Sequence, residues 1–214
     1  MTVKKLQRYI ELETFDNVFE RRVEMKGRWN AEFFRNSNPI TLELACGKGE
    51  YSLALAQKFP QRNFIGIDLK GSRLWRGART ALEQNLTNVG FLRAQIEQLA
   101  DFFAPGEVSQ IWIPFPDPFL RPGKAKKRLT SPRFLNLYRK VLKPGSLVYL
   151  KTDDDTLFSY SFETLREQGC AIHSFSEDLY ASPNGNELLK IPTYYEQRHL
   201  LAKKKIKCLC FSVG

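Results

Sequence analysis

The chain has 214 residues, 43% of them hydrophobic, which suits one domain that buries roughly 70% of its unfolded surface and needs no staples. Lys plus Arg total 33 against 23 Asp plus Glu, and the net charge of +10 with a pI near 9.5 favours a polyanionic partner over an acidic small molecule. Neither the cysteines (Cys46, Cys170, Cys208, Cys210) nor the histidines (His173, His199) are spaced for a disulfide framework or a metal site, and no run is membrane-spanning or signal-like, so a cytoplasmic chain without metal or membrane is expected.

Residues 1–39 hold Lys4, Lys5, Arg8, Arg21, Arg22, Lys26, Arg28 and Arg35 among scattered aromatics, with an imperfect helical stripe through Val18, Arg22, Met25, Trp29, Ala31 and Phe33. They read as a mobile basic start and then one helix, ended by Pro39 because proline disfavours helical geometry in the residue before it. This extension is either an RNA-facing arm or a solvated segment that docks one helix on the sheet.

From Ile40 the apolar run Ile40–Leu44 breaks into Ala45-Cys46-Gly47-Lys48-Gly49 and resumes as a helical pattern, so it reads as strand, tight turn, helix. Such a turn lies at the carboxyl edge of a parallel sheet, where backbone without Cβ lets a ligand approach, so Gly47 and Gly49 are candidate contacts. An ordinary strand-to-helix turn is the alternative. A dinucleotide fingerprint wants a third glycine where Ser52 stands, and a pyrophosphate there would face Glu43. The sulfonium and ammonium of S-adenosylmethionine suit an acidic strand end. Asp68, closing the next strand, sits where a carboxylate accepts from both ribose hydroxyls, or where it caps the following helix.

Strands are expected at Ile40–Leu44, Asn63–Ile67, Val89–Leu92, Ile111–Ile113, Leu147–Leu150, Ala171–Phe175 and Lys207–Ser212. Helices are expected at Ser52–Lys58, Ser72–Asn85, Ile96–Phe103, Ser131–Leu142 and Asp155–Gln168, with Lys143-Pro144-Gly145 as a stop signal. The alternation predicts an α/β fold, a doubly wound, mostly parallel, seven-stranded sheet with helices on both faces. On the helix after Asp68, Arg73, Arg76 and Arg79 share a flank that in isolation reads as solvated.

Ile113-Pro114-Phe115-Pro116-Asp117-Pro118-Phe119 is the most unusual stretch. Its prolines fix φ and remove donors, giving a stiff loop with unpaired carbonyls that mounts Asp117 beside the turn. It resembles the Asp/Asn-Pro-Pro-aromatic loops of base methyltransferases, with Phe119 as the aromatic that stacks on a base; a stiff structural turn is the alternative. Next comes a basic loop in which Lys124, Lys126, Lys127 and Arg128 are candidates to position a nucleic acid by its phosphates. The acidic turn Asp153-Asp154-Asp155 reads as a helix cap.

Taken together, Leu-Glu-Leu-Ala-Cys-Gly-Lys-Gly (42–49), Phe-Ile-Gly-Ile-Asp (64–68), Phe-Pro-Asp-Pro-Phe (115–119), Lys-Lys-Arg-Leu-Thr (126–130), Leu-Lys-Thr-Asp (150–153) and Thr-Tyr-Tyr-Glu (193–196) resemble the bacterial tRNA (guanine-N7-)-methyltransferases from about Leu42 to the C-terminus. The resemblance implies a Rossmann-like methyltransferase domain over 40–214 behind the 1–39 extension. It implies methyl transfer from S-adenosylmethionine to N7 of a guanine in the variable loop of tRNA, forming 7-methylguanosine. Glu43, Asp68, Gln95 and Asp117 are then expected to face the cofactor, with Asp117 also the catalytic carboxylate. Contacts to tRNA are expected from Arg121, Asp153, Thr193 and Glu196.

The chain departs from the family pattern at Ala45 (commonly Gly), Asp68 (often Glu), Gln95 (frequently Asp), Phe119 (Trp) and Arg121 (Lys). Gln95 still accepts from an adenine amino group. Guanine N7 has a free lone pair and no proton to lose, so no catalytic histidine is expected and orientation matters more than a strong base. A methyltransferase for another RNA base or for a small molecule, a non-catalytic RNA-binding protein that kept the fold, and a nucleotide-binding oxidoreductase are the competing classes, the basic loop beside Asp117 arguing against the small molecule. Either a monomer or a homodimer fits.

Overall fold

A computed structural model of the chain describes residues 3–20, 22–181 and 187–214, with side chains from Leu6 onward. Arg21 and the side chains of Lys4 and Lys5 lie outside the described residues. The strands are β1 (Val18–Glu20), β2 (Ile40–Leu44), β3 (Asn63–Asp68), β4 (Val89–Arg93), β5 (Val108–Pro114), β6 (Leu142–Thr152), β7 (Ala171–Ser176) and β8 (Lys207–Ser212). They form one eight-stranded sheet in the order β1-β4-β3-β2-β5-β6-β8-β7, parallel except that β8 runs against its neighbours β6 and β7. The main helices are α1 (Val3–Leu12), α2 (Glu50–Lys58), α3 (Gly71–Glu83), α4 (Leu99–Phe102), α5 (Pro132–Val141), α6 (Asp155–Glu167) and α7 (Tyr194–Leu201).

The seven expected strands are present, and the eighth corrects the reading of the N-terminal region. Val18 does not begin a helical stripe: Val18–Glu20 pairs in parallel with Phe91–Arg93 at the sheet edge. The remainder of the stripe becomes a short 3-10 turn at Val23–Met25 and a π-helical turn at Trp29–Phe34. Trp29 decides this arrangement. It is fully buried, donates from Nε1 to the Phe102 carbonyl at 2.8 Å and stacks on Phe103. The basic start is helical as α1, which docks on α3 through Trp75 Nε1 to Glu11 at 2.7 Å, with Arg8 over the same indole. Lys143-Pro144-Gly145 falls inside β6, where the pairing register with β5 shifts between Val108 and Gln110.

Side-chain alternation divides the core between the two faces of the sheet. Leu42, Leu44, Ile111, Ile113, Val148, Leu150, Leu209 and Phe211 fill one face. Trp112, Tyr149, Cys208 and Cys210 lie on the other with Tyr51, and Trp112 stacks on its neighbour Tyr149 at 4.2 Å between ring centres. The sheet order reverses between β2 and β5, so the turn after β2 and the proline-rich loop after β5 flank the switch point, where open α/β sheets bind ligands.

The turn after β2 is held from beneath by α3. A Cβ at Gly77 would sit 2.3 Å from the Lys48 carbonyl oxygen and 2.9 Å from Phe91. Helix propensity favours alanine over glycine by about 1 kcal/mol, but backbone cannot yield to that contact cheaply. Gly77→Ala is therefore expected to lower stability by about 1–3 kcal/mol, seen as a melting temperature lower by roughly 5 °C.

Candidate active site

At the switch point the carboxyl ends of the strands open into a cleft of about 660 Å³. Asp68, Gln95, Asp117, Phe119, Asp153 and His199 are among the residues that line it. A smaller chamber of about 130 Å³, holding Glu43, Gly47, Lys48 and Thr193, adjoins it, since Ala45, Arg73, Phe115 and Tyr195 line both.

The two glycines of the turn have different duties. Gly47 has φ +58 and nothing within 4 Å of where a Cβ would stand, and its N–H donates to Asp68 Oδ2 at 2.9 Å. The open backbone expected there exists at Gly47. Gly49, also left-handed at φ +67, is buried, and a Cβ would stand 2.4 Å from the Phe91 ring. Gly49 is thus a packing glycine against Phe91. Ala45, where glycine is common in the family, holds φ +55. Phe115 and Phe119 are likewise left-handed, at φ +51 and +43, so three non-glycine residues at one cleft carry backbone strain.

The carboxylates differ by environment. Glu43 is buried and its Oε2 accepts from Ser52 N–H at 2.7 Å and Ser52 Oγ at 2.6 Å. Burial pushes its carboxyl up to about 8, against the opposing Ser52 hydrogen bonds. Asp68 accepts from Gly47 N–H and, through Oδ1, from Lys70 N–H at 2.8 Å, so it orders the turn and the entry to α3 together. Asp117 is exposed, and its Oδ1 accepts from Phe119 N–H at 3.1 Å. Gln95 is exposed on the cleft wall.

Among the expected nucleic-acid contacts, Arg121, Lys124, Lys126 and Lys127 are exposed on the loop beyond Phe119, and Lys127 reaches the cleft wall. Arg128 does not join them. Only 5% exposed, it donates to the carbonyls of Pro118 at 2.9 Å and Phe119 at 3.2 Å and lies over Tyr160. It clamps the proline-rich loop, and two carbonyls expected to be unpaired are its acceptors.

Thr193 and Glu196 are both engaged within the fold, and Thr193 also lines the smaller chamber. They form a capping box at the start of α7: Thr193 Oγ1 accepts from Glu196 N–H, and the Glu196 carboxylate accepts from Thr193 N–H. Glu196 is fully buried, meets Lys151 Nζ at 2.7 Å and accepts from Tyr180 Oη at 3.0 Å. Burial pushes the Lys151 ammonium down, while Glu196 opposes that shift. Asp153 faces the cleft, held by Lys204 Nζ at 2.6 Å.

Sequence reasoning missed Phe115, Tyr195 and His199. The short spacing of Thr193-Tyr194-Tyr195-Glu196 is a helix-start signal that could have brought α7 to the site. Among the described residues no three His, Cys, Asp or Glu side chains gather as metal ligands, and no helix is long and apolar enough to cross a membrane.

An α/β sheet of this order, with a glycine turn and acidic strand ends at its switch point, defines the class of Rossmann-like S-adenosylmethionine-dependent methyltransferases. The family model described as putative methyltransferase matches residues 37–209. In fold the chain is similar to the 16S rRNA methyltransferase KamB (TM-score 0.63, 15% identity, 84% of this chain and 90% of that one). It is also similar to geranyl diphosphate C-methyltransferase from Streptomyces coelicolor, solved with S-adenosyl-L-homocysteine (TM-score 0.56, 12% identity, 87% and 74% covered). In sequence it is 46% identical to a tRNA (guanine-N(7)-)-methyltransferase of Porphyromonas gingivalis over 95% of this chain and 87% of that one. It is 44% identical to one of Christiangramia forsetii over 98% and 97%. The chain belongs to the tRNA (guanine-N(7)-)-methyltransferase family.

The raised Glu43 carboxyl makes a stability prediction. Unfolded, it ionises near 4.5, but in the fold only near 8. Between those values the unfolded chain gives up a proton that the native chain keeps, so this group's contribution falls as pH rises through the window. Glu43→Gln cannot ionise. The melting temperature of the variant minus that of the unsubstituted protein is expected to climb from pH 4.5 to 8 and level off above, as differential scanning calorimetry would read.

Proposed function

We propose that this chain transfers a methyl group to N7 of a guanine in tRNA, with the cleft receiving cofactor and base side by side. The observation that carries the reading is the match to relatives of that name along nearly the whole chain, 43% identical over 99% of it in Bacteroides fragilis. When bound, S-adenosylmethionine supplies an electrophilic methyl on a sulfonium.

The residues present fit that cofactor. Gly47 leaves space for close approach, and Asp68, with one hydrogen bond accepted at each oxygen, retains lone pairs for ribose hydroxyls. Gln95 offers both an acceptor and a donor to an adenine edge in the same cleft. Glu43, held nearly neutral by burial, gains ionisation beside a cation and so compensates it locally.

For the base, this chain needs to orient rather than deprotonate, because N7 carries a lone pair and no proton. Orientation alone is worth roughly 7–11 kcal/mol. Asp117, mounted on a loop stiffened by Pro114, Pro116 and Pro118 and clamped by Arg128, sets a fixed negative charge where the purine becomes cationic. Lys124, Lys126 and Lys127, which make no ion pair among the described residues, extend from that loop to meet phosphates.

Nucleoside mass spectrometry of tRNA incubated with the protein and labelled S-adenosylmethionine tests the reaction. Labelled 7-methylguanosine is expected, and label on another nucleoside overturns the reading. Asp117→Asn keeps the acceptor for Phe119 N–H but loses the charge, so kcat is expected to drop by about 10²-fold at saturating cofactor. An unchanged kcat with a raised cofactor KM confines Asp117 to binding. Replacing Lys124, Lys126 and Lys127 by Ala is expected to reduce the salt slope of tRNA affinity by about 0.7–0.9 for each phosphate that is no longer neutralised. An unaltered slope moves the RNA surface elsewhere.

A further inference from the structure

His199 lies in the cleft although nothing in the sequence pattern singled it out. It projects from α7, and three observations define its surroundings. Its ring stacks on Phe115, with centres 5.7 Å apart and planes 25° from parallel. Its Nδ1 faces Asp153 Oδ2 at 3.3 Å. It lines the same cleft as Asp117, and its side chain keeps 24% of its surface exposed. Nε2 has no protein hydrogen-bond partner among the described residues, so one nitrogen is tied to the fold and the other is presented to the cleft.

That asymmetry fixes what the ring offers. With Nδ1–H turned to the carboxylate in the neutral ring, Nε2 carries the lone pair and serves as an acceptor. Guanine carries N1–H and an exocyclic amine on its Watson–Crick edge, whereas adenine presents a bare N1 at the same place. N7 is on the other side of the purine. The roots of the two loops are adjacent, because Pro114 at the end of β5 pairs with Lys151 near the end of β6. A base held with N7 at Asp117 can turn its Watson–Crick edge to Asp153 and His199, which line the same cleft.

We propose that His199 is a specificity-determining residue that accepts a hydrogen bond from guanine N1–H through Nε2, oriented by Asp153 and by the Phe115 ring. The inference rests on the reading that the cleft receives a guanine. It also links recognition to rate. As N7 gains the methyl group and positive charge, N1–H becomes a stronger acid, so the bond to Nε2 strengthens along the reaction. A purine lacking N1–H sets its own lone pair against that of Nε2 and is rejected.

The test compares tRNA carrying guanine at the methylated position with the same RNA carrying 2-aminopurine, which keeps N7 and the 2-amino group but lacks N1–H and O6, the loss of O6 being common to every variant compared. His199→Phe retains a ring against Phe115 and has no acceptor; His199→Ala removes both and serves if the first variant does not fold. His199→Gln retains an amide oxygen to accept and an amide N–H to face Asp153. In the unsubstituted protein kcat/KM is expected to favour guanine strongly. In the Phe and Ala variants the guanine to 2-aminopurine ratio is expected to fall by about tenfold or more, and Gln should restore most of it. Calorimetric affinity for S-adenosylmethionine should stay the same across the set. A ratio in the acceptor-less variants equal to that of the unsubstituted protein overturns the role of His199 while leaving guanine methylation standing. If the unsubstituted protein makes no 7-methylguanosine, the functional reading fails and this inference with it.

Discussion

The ion pair between Lys151 and Glu196 is the interaction on which the cleft depends. The two side chains are 1% and 0% exposed, so each charge is deprived of water and is tolerable only beside the other. Breaking such a pair by removing one partner leaves an uncompensated buried charge, typically a loss of about 3–5 kcal/mol. Lys151 belongs to β6 and Glu196 to α7, so the pair binds a C-terminal helix to the carboxyl edge of the parallel sheet. Tyr51 from α2 donates to the Leu188 carbonyl at 2.7 Å beside this pair, and Tyr180 donates to Glu196. With α7 fixed, Tyr195 and His199 become a wall rather than a loose appendage.

The same carboxyl chemistry serves distinct ends because the sheet delivers it to different environments. Glu43 points from β2 into the face shared with Trp112, and burial holds it largely protonated near neutrality. Asp117 stands one strand away on a solvent-open loop. Asp153 is held by a lysine and a histidine at once. The strand ends thus bring carboxylates to one region at different depths, and burial decides the protonation of Glu43.

The central architecture was legible because it is written in local chemistry. Apolar runs such as Ile40–Leu44 and Asn63–Ile67 are buried on both faces, and Gly or Pro punctuates the turns between them. The edge strand was not legible: Val18-Phe19-Glu20 has three residues, too few for an alternation to register, and pairs with a strand far along the chain. Trp29 looked like one more position on a helical stripe, but its partners are Phe102 and Phe103. At the site, Asp68 and Asp117 could be placed from their position after strands. Arg128 could not be separated from Lys126 and Lys127 by composition, since its burial depends on carbonyls ten and nine positions earlier and on Tyr160. Thr193 and Glu196 carried a visible capping-box spacing, and the structure forms that box at the start of α7.

The clamp made by Arg128 has a consequence for how this surface can diversify. Since its guanidinium grips the carbonyls of Pro118 and Phe119, the loop carrying Asp117 is closed off before the exposed residues Arg121 to Lys127 begin. Those residues form a cassette whose two ends are fixed in space by a single side chain. Substitutions within the cassette can change its charge and shape, while the register of the carboxylate upstream is inherited unchanged.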